Sequence, residues 1–228
     1  LYILTNWGAQ NFRVMTAGID NAADRNQWQE LLPESQDSLL DGMTTLRDWL
    51  VLEEQRDGQR KIWALNPETS EKIYLDSDEP ASAYWAIDNV NSDTTILRYL
   101  QTSLTQPNQT WEVDLATGAR TLLKAAQVPG NFNVDHYATR RLDVIARDGA
   151  LIPVTLAFHK NTPLNGSAPG LIYGYGSYGS STLPYFNPAL ISLLDRGFVY
   201  AIAHIRGGQE KGRGWYEAGK MMNKVNTF

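Results

Sequence analysis

From Leu1 to about Lys124 the apolar residues fall in short runs broken by polar turns: LYILT, WLVLEE, KIWALN, EKIYLD, ILRYL, TWEVDL and RTLLK. Runs of this kind predict strands, and Asp57-Gly58, Asn66-Pro67 and Thr117-Gly118 supply turns between them. Helical spacing of apolar positions is missing over most of this half. From about Arg141 the grammar changes. RLDVIARDGALIPVTLAFHK predicts two long strands joined at Asp148-Gly149, and LIYGYG predicts a further strand bounded by glycine. NPALISLLDRG predicts a helix, with Asn187 as N-cap, Pro188 in the first helical position and Gly197 just past the end. Phe198 to Ile205 is apolar apart from His204, the pattern of a strand with helices over both faces.

The first half repeats itself. WLVLEEQRDGQRKIWALNPETSEKIYL lies over LRYLQTSLTQPNQTWEVDLATGARTLL without a gap, at a constant offset of 48 residues. Trp63 then falls on Trp111, Asn66 on Asp114 and Thr69 on Thr117, and LYILTNWGAQNFRVMTAG fits the same scheme more loosely. A repeat of this length with several strands per unit predicts a β-propeller blade. Two unrelated hairpin pairs in a β-sandwich are the alternative. Three units do not close a ring, so further blades are expected upstream. The second half predicts the beginning of an α/β domain.

A net charge of −5, with no basic run longer than two residues, argues against nucleic acid as a partner. The chain has no cysteine, which removes disulfides, thiolate nucleophiles and thiolate metal sites and suits a reducing, cytoplasmic location. No stretch approaches the ~20 apolar residues that cross a bilayer, so no membrane partner is expected. LYILTNWGAQ lacks a signal peptide's features and NKVNTF is equally abrupt, so the chain is expected to be a segment of a longer protein.

GYGSYG departs from the G-x-S-x-G nucleophile motif in its first glycine alone. A nucleophile elbow carries its serine on a sharp turn between strand and helix. The predicted helix begins at Asn187, ten residues beyond Ser177, with Pro184 between, so Ser177 is not expected to be a nucleophile. Two readings of the stretch remain. Tyr173, Tyr175 and Tyr178 are packing aromatics beside a tight turn, or a glycine-flanked phenol donates a hydrogen bond to an oxyanion. His136, His159 and His204 have no partner at a motif spacing and are expected to be structural, with no metal site. Asp195, Glu210 and Glu217, on a helix end and on loops, are expected to be solvated.

GYGSYG, then SLLDRGFVYAIAHIRGGQEKGRGWYEAGK and NTF, resemble the prolyl oligopeptidase family of serine peptidases, and within it the oligopeptidase B branch. The likeness extends upstream through IARDGALIPVTLAFHK and LRYLQTSLTQPNQTWEVDLATGARTLLKAAQVPG to NFRVMTAG and WLVLEE, essentially the whole chain. It implies the C-terminal blades of a β-propeller over residues 1–134. The beginning of an α/β-hydrolase catalytic domain follows over residues 135–228, both parts incomplete. It implies hydrolysis of short peptides after Arg or Lys, without a cofactor, with a proline-specific oligopeptidase and an inactive propeller–hydrolase binding protein as alternatives. Tyr175 is implied as the oxyanion-hole tyrosine and Tyr178 as a neighbour of the substrate residue preceding the cut bond. The Arg206-Gly207-Gly208 turn is expected to be structural. The triad serine, aspartate and histidine are expected downstream of Phe228. Oligopeptidase B members often carry acidic residues shortly after this motif, where this chain has Leu183 and Tyr185.

Overall fold

The computed structural model describes residues 1–77 and 79–228. Residues up to Ala125 form three antiparallel sheets in succession. The first holds β1 (Tyr2–Thr5), β2 (Arg13–Thr16) and β3 (Gln29–Leu32). The second holds β4 (Leu39–Leu46), β5 (Trp49–Arg56), β6 (Gln59–Leu65) and β7 (Lys72–Tyr74). The third holds β8 (Ala83–Ala86), β9 (Ile96–Thr102), β10 (Gln109–Asp114) and β11 (Arg120–Ala125). Each strand pairs with its neighbour in sequence, so each unit is a meander, as the repeat predicts. β4 escapes the pattern reading because Asp41-Gly42, which looks like a turn, is absorbed as a bulge between Leu40 and Gly42.

The recurring residues build the same turn twice. Asn66 accepts from the amides of Glu68 and Thr69, while Asp114 accepts from the amide of Ala116 and the Thr117 hydroxyl. Ser70 and Gly118, again 48 apart, take left-handed φ values of 62° and 75°. The outer hairpin follows the overlay: Trp63 pairs with Tyr74 and Trp111 with Leu122. The inner hairpin does not. Trp63 pairs with Leu52, but Trp111 pairs with Tyr99, a slip of one position against the repeat. Such a slip turns side chains to the opposite face. Leu50 and Leu52 accordingly pack toward the first sheet with Val14, whereas Leu97 and Tyr99 pack toward the second with Val51 and Ile62.

The second part is a mixed sheet of β12 (Tyr137–Ile145), β13 (Leu151–His159), β14 (Gly170–Tyr173) and β15 (Val199–Ala203), in the order β12-β13-β15-β14. β14 and β15 are parallel and joined through helix α1 (Pro188–Asp195), a βαβ unit. The Asn187 side chain caps α1 at the Ala189 amide, Pro188 opens it, and Gly197 follows it with φ 82°. Leu190, Ile191 and Leu194 cover Tyr137, Ala157 and Ile202. Each such buried aliphatic side chain contributes about 2 kcal/mol. The expected cover on both faces is only partly present: α1 takes one face, and Leu171, Ile172 and Tyr173 of β14 are exposed.

Two equivalent hairpin tips join the parts. The β9–β10 loop puts Leu104 into the cluster under α1. The β5–β6 tip is the dipeptide Asp57-Gly58, with φ 50° and 74°, the left-handed pair that a type I′ turn needs. Gly58 N donates to the Glu210 carbonyl at 2.9 Å, and the Arg141 guanidinium donates to the Asp57 carbonyl. A Cβ on Gly58 would lie 2.5 Å from the His204 ring, whereas one on Gly118 would meet nothing within 4 Å.

That contrast separates backbone strain from a lost interface. Gly118→Ala is expected to cost about 1 kcal/mol of stability through its positive φ alone. Gly58→Ala is expected to cost roughly 3 kcal/mol, because the His204 ring must also move. Chemical denaturation of the two variants side by side checks this, and equal costs would refute the contact.

Candidate active site

β14 and β15 run in the same direction, so their C-terminal ends open on one edge, where open α/β sheets bind ligands. The segment after β14 is Gly174-Tyr175-Gly176-Ser177-Tyr178-Gly179, and the one after β15 is His204 to Gly208. They meet backbone to backbone. A Cβ on Gly174 would lie 3.1 Å from Ile205, and one on Gly176 would lie 2.8 Å from the Arg206 carbonyl. Gly179 N donates to the Gly207 carbonyl at 2.9 Å, and Gln209 Nε2 donates to the Gly179 carbonyl at 2.9 Å. Gly176, Tyr178 and Gly179 have φ of 60°, 58° and 67°. A tyrosine in the left-handed region is strained, and the surrounding contacts hold it there.

Tyr175 is 44% exposed, and among the described residues its hydroxyl has no hydrogen-bond partner. It lines a crevice of about 350 Å³ with Tyr173, Ser180, Ser181, Thr182, Leu183 and Tyr185. The phenol is therefore a free donor at the mouth of a cavity. Leu183 and Tyr185 belong to the same wall, and Tyr185 stacks on Trp85 of the third sheet at 5.0 Å. Tyr178 is 89% exposed and stands outside this lining. Ser177 Oγ accepts a hydrogen bond from Lys224 Nζ at 2.7 Å, and α1 starts only at Pro188, so no helix follows the serine directly.

The other titratable groups divide between this edge and the opposite one, where β13 ends beside the start of β15. His204 is fully buried; its Nε2 meets Thr155 Oγ1 at 2.8 Å. Burial, then the Arg141 charge, holds the imidazole down at about 3, so the ring is neutral and structural. His136 and His159 lie 5.9 Å apart and pack on Tyr137. Asp195 is exposed but accepts from the Tyr137 hydroxyl at 2.6 Å, tying β12 to α1. Burial and then that carboxylate push the phenol up to about 12. Glu217 pairs with Arg213 at 3.2 Å and with Lys220.

Glu210 is a correction to the expectation of a solvated carboxylate. It is 1% exposed, its Oε1 accepts from the Thr182 amide at 2.9 Å, and burial pushes it up to about 7 against the Thr182 hydrogen bond. The turn that follows Gly208 folds it inward, beneath the crevice wall. Neither Glu210's burial nor Lys224's contact with Ser177 has a signal in the spacing of residues, because both partners lie far away in sequence.

A family model described as "Prolyl oligopeptidase, N-terminal beta-propeller domain" matches residues 1–126, and one described as "Prolyl oligopeptidase family" matches residues 184–228. Dipeptidyl aminopeptidase BI of Pseudoxanthomonas mexicana is 41% identical, over 97% of this chain and 30% of that protein. Protease 2 of Moraxella lacunata is 34% identical, over 100% of this chain and 32% of that protein. The structure of oligopeptidase B from Leishmania major superposes with a TM-score of 0.88 at 31% identity, covering 100% of this chain and 33% of that one. The chain thus spans about a third of the length of these relatives. The three meander sheets are blades of a β-propeller, and the mixed sheet is the beginning of an α/β-hydrolase domain. Among the described residues no helix is long and apolar enough to cross a membrane.

The raised Glu210 carboxyl has a stability consequence. Between the ordinary value of 4.5 and about 7 the folded protein keeps a proton that the unfolded chain releases. Stability contributed by this group is therefore full below the lower value and is lost as pH rises through the upper one. Glu210→Gln removes that loss. Chemical denaturation from about pH 5 to about pH 8 should show the variant gaining on the wild type by roughly 3 kcal/mol. The neutral His204 is common to both proteins and cancels. A difference that stays constant with pH would refute the assignment.

Proposed function

The chain belongs to the prolyl oligopeptidase family, and from that premise we propose that the whole protein is a serine peptidase acting on short peptides. We set the boundary between its propeller part (1–134) and its hydrolase part (135–228) at the 3-10 turn Val134–His136, just before β12. A serine, an aspartate and a histidine beyond Phe228 form the triad. The serine oxygen attacks the scissile carbonyl while histidine takes its proton, and the proton passes on to the leaving amine. The carbonyl oxygen gathers negative charge in the tetrahedral intermediate, and the Tyr175 hydroxyl with a backbone N–H holds it. Tyr178, on the outer side of the same strained turn, meets the substrate residue preceding the cut bond. No metal or organic cofactor enters this scheme.

One observation carries the reading: a glycine-flanked phenol, free of hydrogen bonds among the described residues, stands in a crevice off the C-terminal ends of two parallel strands. Cleavage after Arg or Lys is supported by the resemblance to oligopeptidase B, and a cytoplasmic location by the absence of cysteine. A second reading has its own support. The relative at 41% identity is a dipeptidyl aminopeptidase, so release of dipeptides from a free amino terminus is the alternative cleavage pattern.

In the full-length protein, Tyr175→Phe should lower kcat for an arginyl amide about 100- to 1,000-fold with KM little changed, since it removes one oxyanion donor. Turnover within a few-fold of the wild type would overturn the role of that hydroxyl. Mass analysis of products from a peptide with an internal Arg, with free and with acetylated amino terminus, separates the two patterns. Equal cleavage of both forms supports the endopeptidase, and cleavage of the free form alone supports the dipeptidyl aminopeptidase.

A further inference from the structure

Lys224 sits on the 3-10 turn Met221–Thr227 and is half-buried. The turn is anchored before the lysine reaches anything. Asn223 Nδ2 donates to the Glu217 carbonyl at 3.1 Å, Asn226 Nδ2 to the Ala218 carbonyl at 3.2 Å, and Thr227 Oγ1 to the Gly219 carbonyl at 3.2 Å. The Thr227 methyl closes on Gly176, 2.5 Å from where a Cβ would be. From this base the Lys224 ammonium donates to the Gly176 carbonyl and to Ser177 Oγ. Glu217, the carboxylate nearest in sequence, is taken by Arg213 and Lys220, and Lys224 forms no ion pair among the described residues.

We infer that Lys224 is a positioning residue: it grips the Gly176–Ser177 peptide and so aims the neighbouring Tyr175 phenol into the crevice. The inference rests on the reading of Tyr175 as an oxyanion donor and adds the group that holds it. Glycine is by itself the most permissive residue, so the cation on the Gly176 carbonyl and the Thr227 methyl packed where a Cβ would stand are what restrict this peptide plane. A hydrogen bond from a charged donor is roughly twice as strong as a neutral one. The same contact explains the serine that resembles a nucleophile. A nucleophilic serine needs a base to take its proton, and an ammonium offers three donors and no acceptor. Ser177 is therefore the second acceptor of the lysine.

A double-mutant cycle in the full-length peptidase tests this. Lys224→Met keeps the length of the side chain and removes the charge and the donors. It should lower kcat about ten-fold for an arginyl amide with KM within about two-fold, and Lys224→Arg should recover part of the loss. In a Tyr175→Phe background the Lys224→Met effect should shrink to about two-fold or less, because there is no phenol left to aim. An undiminished ten-fold effect in both backgrounds, or none in either, overturns the inference. Hydrogen exchange at the Gly179 and Ser180 amides, which donate to the Gly207 and Ser177 carbonyls, gives a readout independent of the chemistry. Faster exchange in Lys224→Met supports the grip, and unchanged exchange refutes it even if Tyr175 proves not to be an oxyanion donor.

Discussion

Three backbone segments meet here at distances that admit no side chain, and the candidate site depends on that contact. A Cβ on Gly207 would lie 2.0 Å from the Gly176 carbonyl oxygen, and one on Gly219 would lie 2.4 Å from the Gly207 nitrogen. The segments after β14, after β15 and before the 3-10 turn therefore make their tightest backbone approaches at glycines. Gly207 N donates to the Trp215 carbonyl at 3.0 Å, and Trp215 Nε1 donates to the His204 carbonyl at 3.0 Å. α2 (Arg213–Glu217) carries that tryptophan, so a short helix braces the turn from behind. The tyrosine loop has little structure of its own. Its shape is imposed from outside, by the Arg206-Gly207-Gly208 turn and by Lys224.

The same packing shows why buried ionisable groups collect at the junction with the blades. The Asp57-Gly58 tip offers one amide and one carbonyl, and both are used across the junction, by the Glu210 carbonyl and the Arg141 guanidinium. The tip's own main-chain groups are neutral, whereas the Arg141 guanidinium brings a positive charge to the junction. His204 and Glu210 border that tip, and burial acts on both by disfavouring the charged form. Their effects on stability oppose each other. The imidazole contributes stability above its ordinary value of 6.5, lost as pH falls through about 3. The carboxyl contributes stability below 4.5, lost as pH rises through about 7. Between them the junction keeps two neutral side chains where two charges would be costly.

Much of this was legible in the residues. The blade repeat, the turns at Asn66 and Asp114, the capped helix and the βαβ crossover are all written in local pattern. Patterns of that kind reflect interactions within one element or between neighbours. The slip in the inner hairpin was not legible, because Leu52 and Leu100 are equally apolar and either face accepts them. Glu210 reads as a loop carboxylate because nothing around it in sequence is apolar; its burial comes from Thr182 and Gly58, each in another segment. Lys224 is an ordinary lysine in MMNKVNTF until the fold sets it against Ser177. Partners brought together over such separations leave no periodicity to read. The reading of Tyr175 as an oxyanion donor came from resemblance, since glycine spacing alone favoured a packing aromatic.

The Leu183–Tyr185 part of the crevice lining carries the last consequence. Tyr185 stacks on Trp85 with an interplanar angle of 17°, and the Arg60 guanidinium lies 5.9 Å from the same indole. Arg60 is held by Asp41 and Glu53, so its charge is already balanced inside its own blade. Position 185 thus spends its side chain on joining the hydrolase part to the third blade through aromatic contact. A carboxylate there would lose the stack and would face an arginine whose acidic partners are in place. Leu183, beside it in the crevice, is likewise uncharged. Positions 183 and 185, where the resemblance to oligopeptidase B leads one to expect acidic side chains, thus offer no counter-charge for a cation in the crevice.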